Sequence, residues 1–543
     1  MFDARRSDAG VYSFLLLWAV AVTPVRGEDP QRYDVAVRDG TKLATNVHLP
    51  TGQGPWPTIL ARTPYGRGAG KGFATRAVAR GYAFAIQGVR GRAGSEGHHA
   101  IIFSHDGWGT HQDGFDAVAW IAKQPWSDGN VVTWGGSALG ITQCMLGPSR
   151  PPALRAQHVV VGCGDLYSHC MYPGGAWRAS MIEGWLAATQ MTDVNLETFR
   201  EHPNYDAFWH ELNAVAQADR VNAPGLFVGG WYDIFAQGTI DSFVSIQQQG
   251  DTGARGKCRL VMGPIAHGPV TELTYPDAKL PEAADALRWF DHWVKGVDNG
   301  VGDEKPVHYY VMGDPDDPDA PGNAWRQADT WPPPATVTPF YLHSDGSLSR
   351  SRPSATGAAR TYRYDPAHPV PTIGGTNLML PKGPMDQRAV EGRSDVLVFS
   401  SPPLAEPMEV TGRLWARLWV SSSARVTDFT VKLCDVYPDG RSMLVTDGIC
   451  STRHRKSMSS DDPNEPGEVY RLDVDLWSTS LIFNRGHRVR IVVSSSNAPR
   501  FMPSPNAETP PQAGSAAIIA HNTLHLDAAH ASCIRLPVAD GTP

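Results

Sequence analysis

Basic clusters are missing from this chain. It carries a net charge of −7 and no long run of Lys and Arg. Neutralising a phosphate backbone needs clustered cations, so nucleic acid is excluded as the main partner. Cysteine is scarce, with seven in 543 residues, so disulfides are not the scaffold. Cys163 with Cys170 and Cys434 with Cys450 are the pairs near in sequence; the alternative is that all seven are small buried hydrophobes. An odd count leaves at least one thiol unpaired within a monomer. Internal repeats are absent, and so are low-complexity tracts beyond the loops described below. No apolar run after the N-terminus approaches the ~18 residues of a spanning helix, so no membrane span is expected in the mature chain. The histidines at His98, His99, His105 and His111 match no ligand spacing, and neither a metal nor a cofactor is expected.

What is present first is an export pattern. Arg5 and Arg6 precede an apolar run over 11–22, and Val25 and Gly27 stand three and one residues before a cut ahead of Glu28. Residues 1–27 read as a signal peptide and the mature chain as secreted or periplasmic. A retained anchor is the rival reading. The 41% hydrophobic and 19% charged composition belongs to a soluble globular protein, and the length demands more than one core.

In the first half, short apolar runs at 58–61, 82–86, 131–134, 157–161, 226–228 and 259–262 alternate with helical stretches. Phe115, Val118, Ala119 and Ala122 repeat at helical spacing after Asp113, which is placed to begin that helix. The alternation predicts an α/β fold with a mostly parallel sheet covered on both faces. From 165 to 220 the rhythm stops. Helical patterns at 177–189 and 198–218 predict an inserted cap. Residues 313–323, rich in Asp, Pro and Gly, read as a loop. Beyond it, alternating strands at 340–342, 414–420, 429–435, 469–474 and 488–493, with turns such as Pro438-Asp439-Gly440, predict an all-β jelly roll. The expected boundaries are 28–163 with 223–335 for the α/β part, 164–222 for the cap and 336–543 for the β part.

Four reactive groups follow four of the predicted strands: Tyr65, Ser137, Asp233 and His267. The carboxyl ends of parallel strands share one edge, where ligands bind. Ser137 lies in Gly135-Gly136-Ser137-Ala138-Leu139-Gly140, a small-residue setting that suits a sharp strand-to-helix turn, although the second glycine comes one residue late. The chain order Ser137, Asp233, His267 is that of α/β-hydrolases. The roles follow from charge: Ser137 is the nucleophile, His267 the general base and Asp233 the acid that orients it. The Ala138 N–H and the Tyr65 phenol are the candidate oxyanion donors.

On these residues the chain resembles the family of cocaine esterase, the X-Pro dipeptidyl-peptidases, the α-amino ester hydrolases and the glutaryl acylases. Further stretches carry the likeness: Val89-Arg90-Gly91, Gln124-Pro125-Trp126, Gly230 to Asp233, Gly263 to His267 and Pro466-Gly467-Glu468-Val469-Tyr470. The family writes its elbow with the same late glycine. The resemblance implies an α/β-hydrolase domain, a helical cap, a C-terminal jelly roll, the triad Ser137, Asp233 and His267, and an oxyanion hole of Tyr65 and Ala138. Two departures stand out. The family has Tyr where this chain has Ala138, and Asp where it has Gly88.

Asp165-Leu166-Tyr167, Pro173 to Ala176 and Gly184-Trp185 resemble the cocaine esterase cap. Trp185 and Tyr172 form an aromatic pocket on this reading, or else core packing. The amino-ester branch carries acidic residues two and three positions after its triad Asp. Here Phe235 and Ala236 stand there, so α-amino esters are disfavoured and Phe235 joins the expected pocket. The expected reaction is hydrolysis of an ester or amide of a small apolar or aromatic acyl group. X-Pro dipeptidyl-peptidase or acylase-type amide hydrolysis is the second reading, and a non-catalytic carbohydrate-binding protein a third.

Overall fold

The computed structural model describes residues 29–97, 100–508 and 517–540. The expected signal segment, His98 and His99 lie outside the described residues.

Ten strands form one sheet: β1 Gln31–Ala36, β2 Lys42–His48, β3 Trp56–Thr63, β4 Ala83–Gly88, β5 Ser127–Gly136, β6 Leu154–Val160, β7 Gly225–Tyr232, β8 Arg259–Ala266, β9 Val307–Val311 and β10 Ala324–Ala328, in the order β1-β2-β4-β3-β5-β6-β7-β8-β9-β10. From β4 to β9 neighbouring strands run parallel. The edges, β1-β2-β4 and β9-β10, are antiparallel. Successive side chains point to opposite faces. Ile59, Ala61, Phe84, Ile86 and Val132 pack under α1 (Lys71–Ala79) and a helix at Ala286–Lys295. Leu60, Ala83, Ala85 and Val131 pack under α2 (Asp113–Ala122). Both faces are covered, which is why these strands read as continuous apolar runs.

The expected α2 is present. Ala117, Val118 and Ile121 pack on the sheet, while Phe115, Ala119 and Ala122 are only half-buried. A Cβ at Gly114 would meet Leu146 Cδ1 at 2.8 Å. Asp113 begins the helix but caps nothing. Its buried carboxylate receives Arg90 at 2.7 and 3.0 Å.

Between β6 and β7 lies the cap. Its helices include α4 (Ala179–Ala188) and α5 (Thr192–Glu201); α3 is Ala138–Leu146, ahead of β6. The single helix expected over 198–218 is broken. α5 stops before His202-Pro203 because the residue before proline is held out of the α region. The chain resumes as a short turn at Ala207–His210 and a 3-10 turn at Val215–Arg220.

The C-terminal half is all β, in two antiparallel sheets. The long strand Met408–Ser422 pairs with Tyr470–Phe483, Cys533–Ala539 and Ala520–His525. The second sheet orders Leu397–Ser400, Arg488–Ser494, Asp428–Val436 and Ser442–Ser451, the last two joined by the turn at 438–440. Each of the five strands expected there lies inside or overlaps an observed one. The two halves share backbone bonds: Met312 N donates to Ser480 O at 3.0 Å, and Ile482 N to Met312 O at 2.8 Å.

All seven cysteines are buried free thiols. Cys434 stands opposite Leu444, and Cys450 opposite Phe429. Six residues of strand, about 20 Å, therefore separate that pair. Cys163 and Cys170 share one apolar cluster without a bridge.

Asp428 is buried in a cleft between cap and β half, lined also by Trp177, Arg200, Ser451 and Arg453. Burial lifts its carboxyl to about 7, against the Ser451 hydroxyl and the Arg453 charge. The unfolded chain ionises this group more readily, so stability falls as pH rises from about 4 to about 7 and levels off above that. Asp428→Asn is expected to raise the melting temperature by a few degrees more at pH 8 than at pH 5. Equal shifts at both pH values in paired thermal scans would refute the assignment.

Candidate active site

β5 ends at Gly136 and α3 begins at Ala138, leaving Ser137 alone in the turn with φ 56° and ψ −125°. Few side chains tolerate that conformation, and a strained position of this kind persists only when its surroundings over-determine it. They do so here through glycine. A Cβ at Gly135 would lie 2.5 Å from Leu139 Cβ. One at Gly140 would lie 3.1 Å from Val160 O and 3.3 Å from Gly162 Cα. The late glycine of the elbow thus lets α3 pack backbone against backbone on the end of β6. Ser137 N donates to Val160 O at 2.9 Å, and the first N–H groups of α3, Ala138 foremost, have no intrahelical acceptor.

Asp233 follows β7 in a turn closed by its own N–H on Gly230 O at 3.1 Å. Gly230 is needed because a Cβ would collide with Ile265 O at 2.2 Å, where the ends of β7 and β8 converge. The Asp233 carboxylate is wholly buried. Its Oδ1 accepts Phe235 N–H at 2.7 Å, and its Oδ2 lies 2.7 Å from His267 Nδ1. His267 follows β8 and is slightly exposed; its Nε2 lies 2.9 Å from Ser137 Oγ. Groups 96 and 34 residues apart therefore form one hydrogen-bonded line along the carboxyl edge of the sheet.

Tyr65 follows β3, with its N–H on Thr63 Oγ1 at 3.1 Å. Its hydroxyl accepts Trp185 Nε1–H at 3.0 Å and also meets the Ser137 hydroxyl. Burial raises the phenol's pKa, so it stays protonated and able to donate. Trp185 belongs to α4 and stacks parallel to Phe103, centroids 6.2 Å apart. Arg92 ties the two sides together: its Nε donates to Pro64 O, and its guanidinium nitrogens to Thr189 O and Gln190 O beyond α4. At Gly88 an aspartate has no room, since a Cβ would stand 2.7 Å from Arg92 O and 2.8 Å from Ser95 Oγ. Ser95 secures that strand end instead, donating to Gly88 O and accepting from Ala44 N, both at 3.0 Å.

Of the expected pocket residues, Phe235 stands edge-on to the His267 ring, centroids 5.8 Å apart. Tyr172 does not join the group. Its hydroxyl donates to Phe199 O at 3.0 Å and its ring packs on Tyr167 and Trp177 in the cap core. Several neighbours of the site carried no local sequence signal. Phe103 sits in a loop. Met379, 48% exposed, presses on Gly184, whose added Cβ would be 2.8 Å from its Cγ. Lys382 donates from Nζ to His267 O at 3.1 Å, and Arg178 from Nη1 to Ile234 O at 2.8 Å. Among the described residues no cluster of three His, Cys, Asp or Glu side chains is arranged to hold a metal, and no helix is long and apolar enough to cross a membrane.

Gly140→Ala is expected to destabilise the fold by about 1–2 kcal/mol through overpacking of α3 on β6. Gly72→Ala, whose Cβ meets open space inside α1, is expected to be neutral or stabilising. Urea unfolding of both variants checks the opposite signs.

Comparison with known proteins bears on this geometry. Residues 39–196 and 185–269 match the model of the X-Pro dipeptidyl-peptidase (S15 family), and residues 299–535 that of the X-Pro dipeptidyl-peptidase C-terminal non-catalytic domain. The cocaine esterase of Rhodococcus sp. strain MB1 Bresler is 33% identical over 541 residues, covering 86% of this chain and 90% of that one. An aminopeptidase from a marine sediment Thaumarchaeota archaeon superposes with a TM-score of 0.80 at 25% identity, covering 99% of this chain and 100% of that one. An α-amino acid ester hydrolase superposes with a TM-score of 0.79 at 25% identity, covering 96% and 98%.

Proposed function

Because this chain belongs to the X-Pro dipeptidyl-peptidase S15 family of serine hydrolases, which includes cocaine esterase, we propose that it cleaves esters or amides of small apolar or aromatic acyl groups through Ser137, His267 and Asp233. The observation that carries the reading is the line from Asp233 Oδ2 through His267 to Ser137 Oγ, with spacings of 2.7 and 2.9 Å. His267 Nε2 takes the serine proton as Oγ attacks the carbonyl carbon. Asp233 holds the Nδ1–H tautomer and stabilises the imidazolium. The carbonyl oxygen, now an oxyanion, accepts the Ala138 N–H and the Tyr65 O–H. Because Trp185 already donates to the Tyr65 oxygen, the single phenolic hydrogen is free to turn toward Ser137 and the oxyanion. His267 then returns the proton to the departing alcohol or amine. Water attacks the acyl-enzyme by the same route in reverse.

Phe235, Phe103 and Trp185 make the surroundings apolar and aromatic. A substrate ammonium needs a carboxylate, and neither Phe235 nor Ala236 supplies one. That favours substrates without a free α-amino group. The esterase relative favours esters; the aminopeptidase neighbour and the family name keep amides as the second reading. Export rests on the N-terminal pattern of Arg5, Arg6 and the apolar run that follows.

The test is hydrolysis of p-nitrophenyl esters of graded acyl length. Ser137→Ala is expected to lose at least about 10⁴-fold in kcat. Tyr65→Phe should lose about 10²–10³-fold, and Trp185→Phe about tenfold through misdirection of the phenol. Turnover of an Xaa-Pro anilide well above the best ester would replace the esterase reading with the peptidase one. Ester turnover that survives Ser137→Ala would remove the nucleophile.

A further inference from the structure

We infer that His169, Asp241 and Arg413 form a pH-sensitive latch where the cap segment, the α/β half and the β half meet, closed while the His169 ring is protonated and slackened when it loses that proton. The inference stands apart from the triad assignment and uses groups that the proposed chemistry leaves idle.

His169 lies in a single π-helical turn, Tyr167–Met171, on the segment that runs from β6 into the cap. Such turns are rare and concentrate at functional positions. The ring is buried, with Nε2 3.1 Å from Asp241 Oδ2. Asp241 stands on the helix Ala236–Gln249, which begins directly after the Asp233 loop. Gly238 on that helix allows the close approach: a Cβ there would lie 3.1 Å from His169 Cβ and 2.4 Å from Cys163 Cβ. From the β half, Arg413 Nη1 reaches the same Asp241 oxygen at 3.3 Å, and its Nη2 reaches Asp475 at 2.5 Å. Gln237 Nε2 donates to the other Asp241 oxygen at 2.7 Å. Trp477, also from the β half, stands edge-on to the His169 ring, centroids 6.4 Å apart. Charges of alternating sign thus run from the cap segment through the α/β half into the β half.

His169 is the member of this chain that can switch. Burial works against its charged form, but the bond to Asp241 and the charge of that carboxylate outweigh it and hold the ring above the ordinary imidazole value. Asp165, on the same segment, supports the charge, and Arg413 opposes it. Burial likewise pushes the Asp241 carboxyl up, and the His169 bond and charge, with Arg413, bring it below its ordinary value. Arg413 is buried too, and its two carboxylates still raise its proton affinity. Asp241 and Arg413 therefore keep their charges where His169 titrates. The remaining neighbours are the thiols of Cys163, against Gly238, and Cys170, the next residue in the turn, with the Arg178 guanidinium 5.6 Å from the Trp477 centroid. His169 Nδ1 has no partner, so the ring is held through Nε2 alone, and a neutral ring keeps only the weaker, uncharged bond. An imidazole whose proton affinity rises on folding stabilises in full below its unfolded value of about 6.5 and loses that contribution as pH rises through the higher folded value. The latch is closed in acid and slackens above that folded value.

The experiment follows histidine ¹³Cε1 resonances from pH 5 to 9.5 in wild type, His169→Gln and Asp241→Asn. It also follows amide hydrogen exchange of peptides covering 167–171 and 236–249 at pH 6 and pH 9, corrected for intrinsic rates. The resonance missing from His169→Gln is expected to titrate above 6.5 in wild type and at least about one pH unit lower in Asp241→Asn. Corrected exchange of both segments is expected to be about tenfold faster at pH 9 than at pH 6 in wild type, and equal at the two pH values in His169→Gln. A His169 resonance that titrates at or below 6.5, that does not titrate across the range, or that keeps its midpoint in Asp241→Asn overturns the inference. Exchange with the same pH dependence in wild type and His169→Gln also overturns it and leaves the pair a fixed structural contact. If His169→Gln does not fold, Asp241→Asn decides by the exchange criterion.

Discussion

An ionised carboxylate removed from water costs several kcal/mol unless its lone pairs are filled, and Asp233 is removed from water entirely. The architecture around it answers that constraint. One oxygen receives the Phe235 N–H within the same turn. The other receives His267, delivered by the next strand of the sheet. Gly230 lets the two strand ends approach closely enough for this, since any side chain there would strike Ile265 O. From outside the sheet, Arg178 donates to the Ile234 carbonyl of the acid loop and Lys382 to the His267 carbonyl. A buried acid bonded through both oxygens also has a fixed direction, and that direction aims His267 Nε2 at Ser137.

Ser137, the proposed nucleophile, is held by the complementary device. Where Asp233 is fixed by filled lone pairs, Ser137 is fixed by backbone packing that leaves it nowhere else to go. Gly135, Gly140 and Gly162 allow α3 to rest on β5 and β6 with backbone atoms about as close as they can stand. The positive φ of Ser137 is the consequence. The strain at one residue is spread over the contact of α3 with the ends of β5 and β6. Tyr65, the proposed oxyanion donor, is tied to the cap through Trp185, and Arg92 joins the same two sides again.

Much of this was legible in the sequence because it depends on local pattern. Strand runs, the small residues of the elbow and the order of Ser137, Asp233 and His267 are short-range features, and one edge of a parallel sheet collects them. Errors arose where a long-range contact decides. Pro203 split a helix whose apolar periodicity continued through it. Tyr172 has the right residue type for a pocket and sits in the cap core because its hydroxyl finds Phe199 O. Arg178, Lys382, Phe103 and Met379 reach the site from segments whose local composition is unremarkable. Nothing within ten residues of Arg178 announces that Ile234 and Thr376 will converge on it.

That last group bears on why the β half accompanies the hydrolase half at all. Thr376, Leu378, Lys382 and Trp477 all come from beyond residue 335, and each contacts a group that holds the Asp233 or His267 loop or the loop itself. The cap alone supplies Arg178, whose second guanidinium nitrogen would then face no acceptor. The α/β sheet alone leaves the His267 carbonyl without its lysine. Backbone bonds from Met312 to Ser480 and Ile482 fix the halves in register, so the cations arrive at set positions rather than on a mobile tether. The candidate site is therefore built at a junction of three parts: the sheet provides Ser137, Asp233 and His267, and the cap and the β half provide the donors that hold their loops and the aromatic side chains around them.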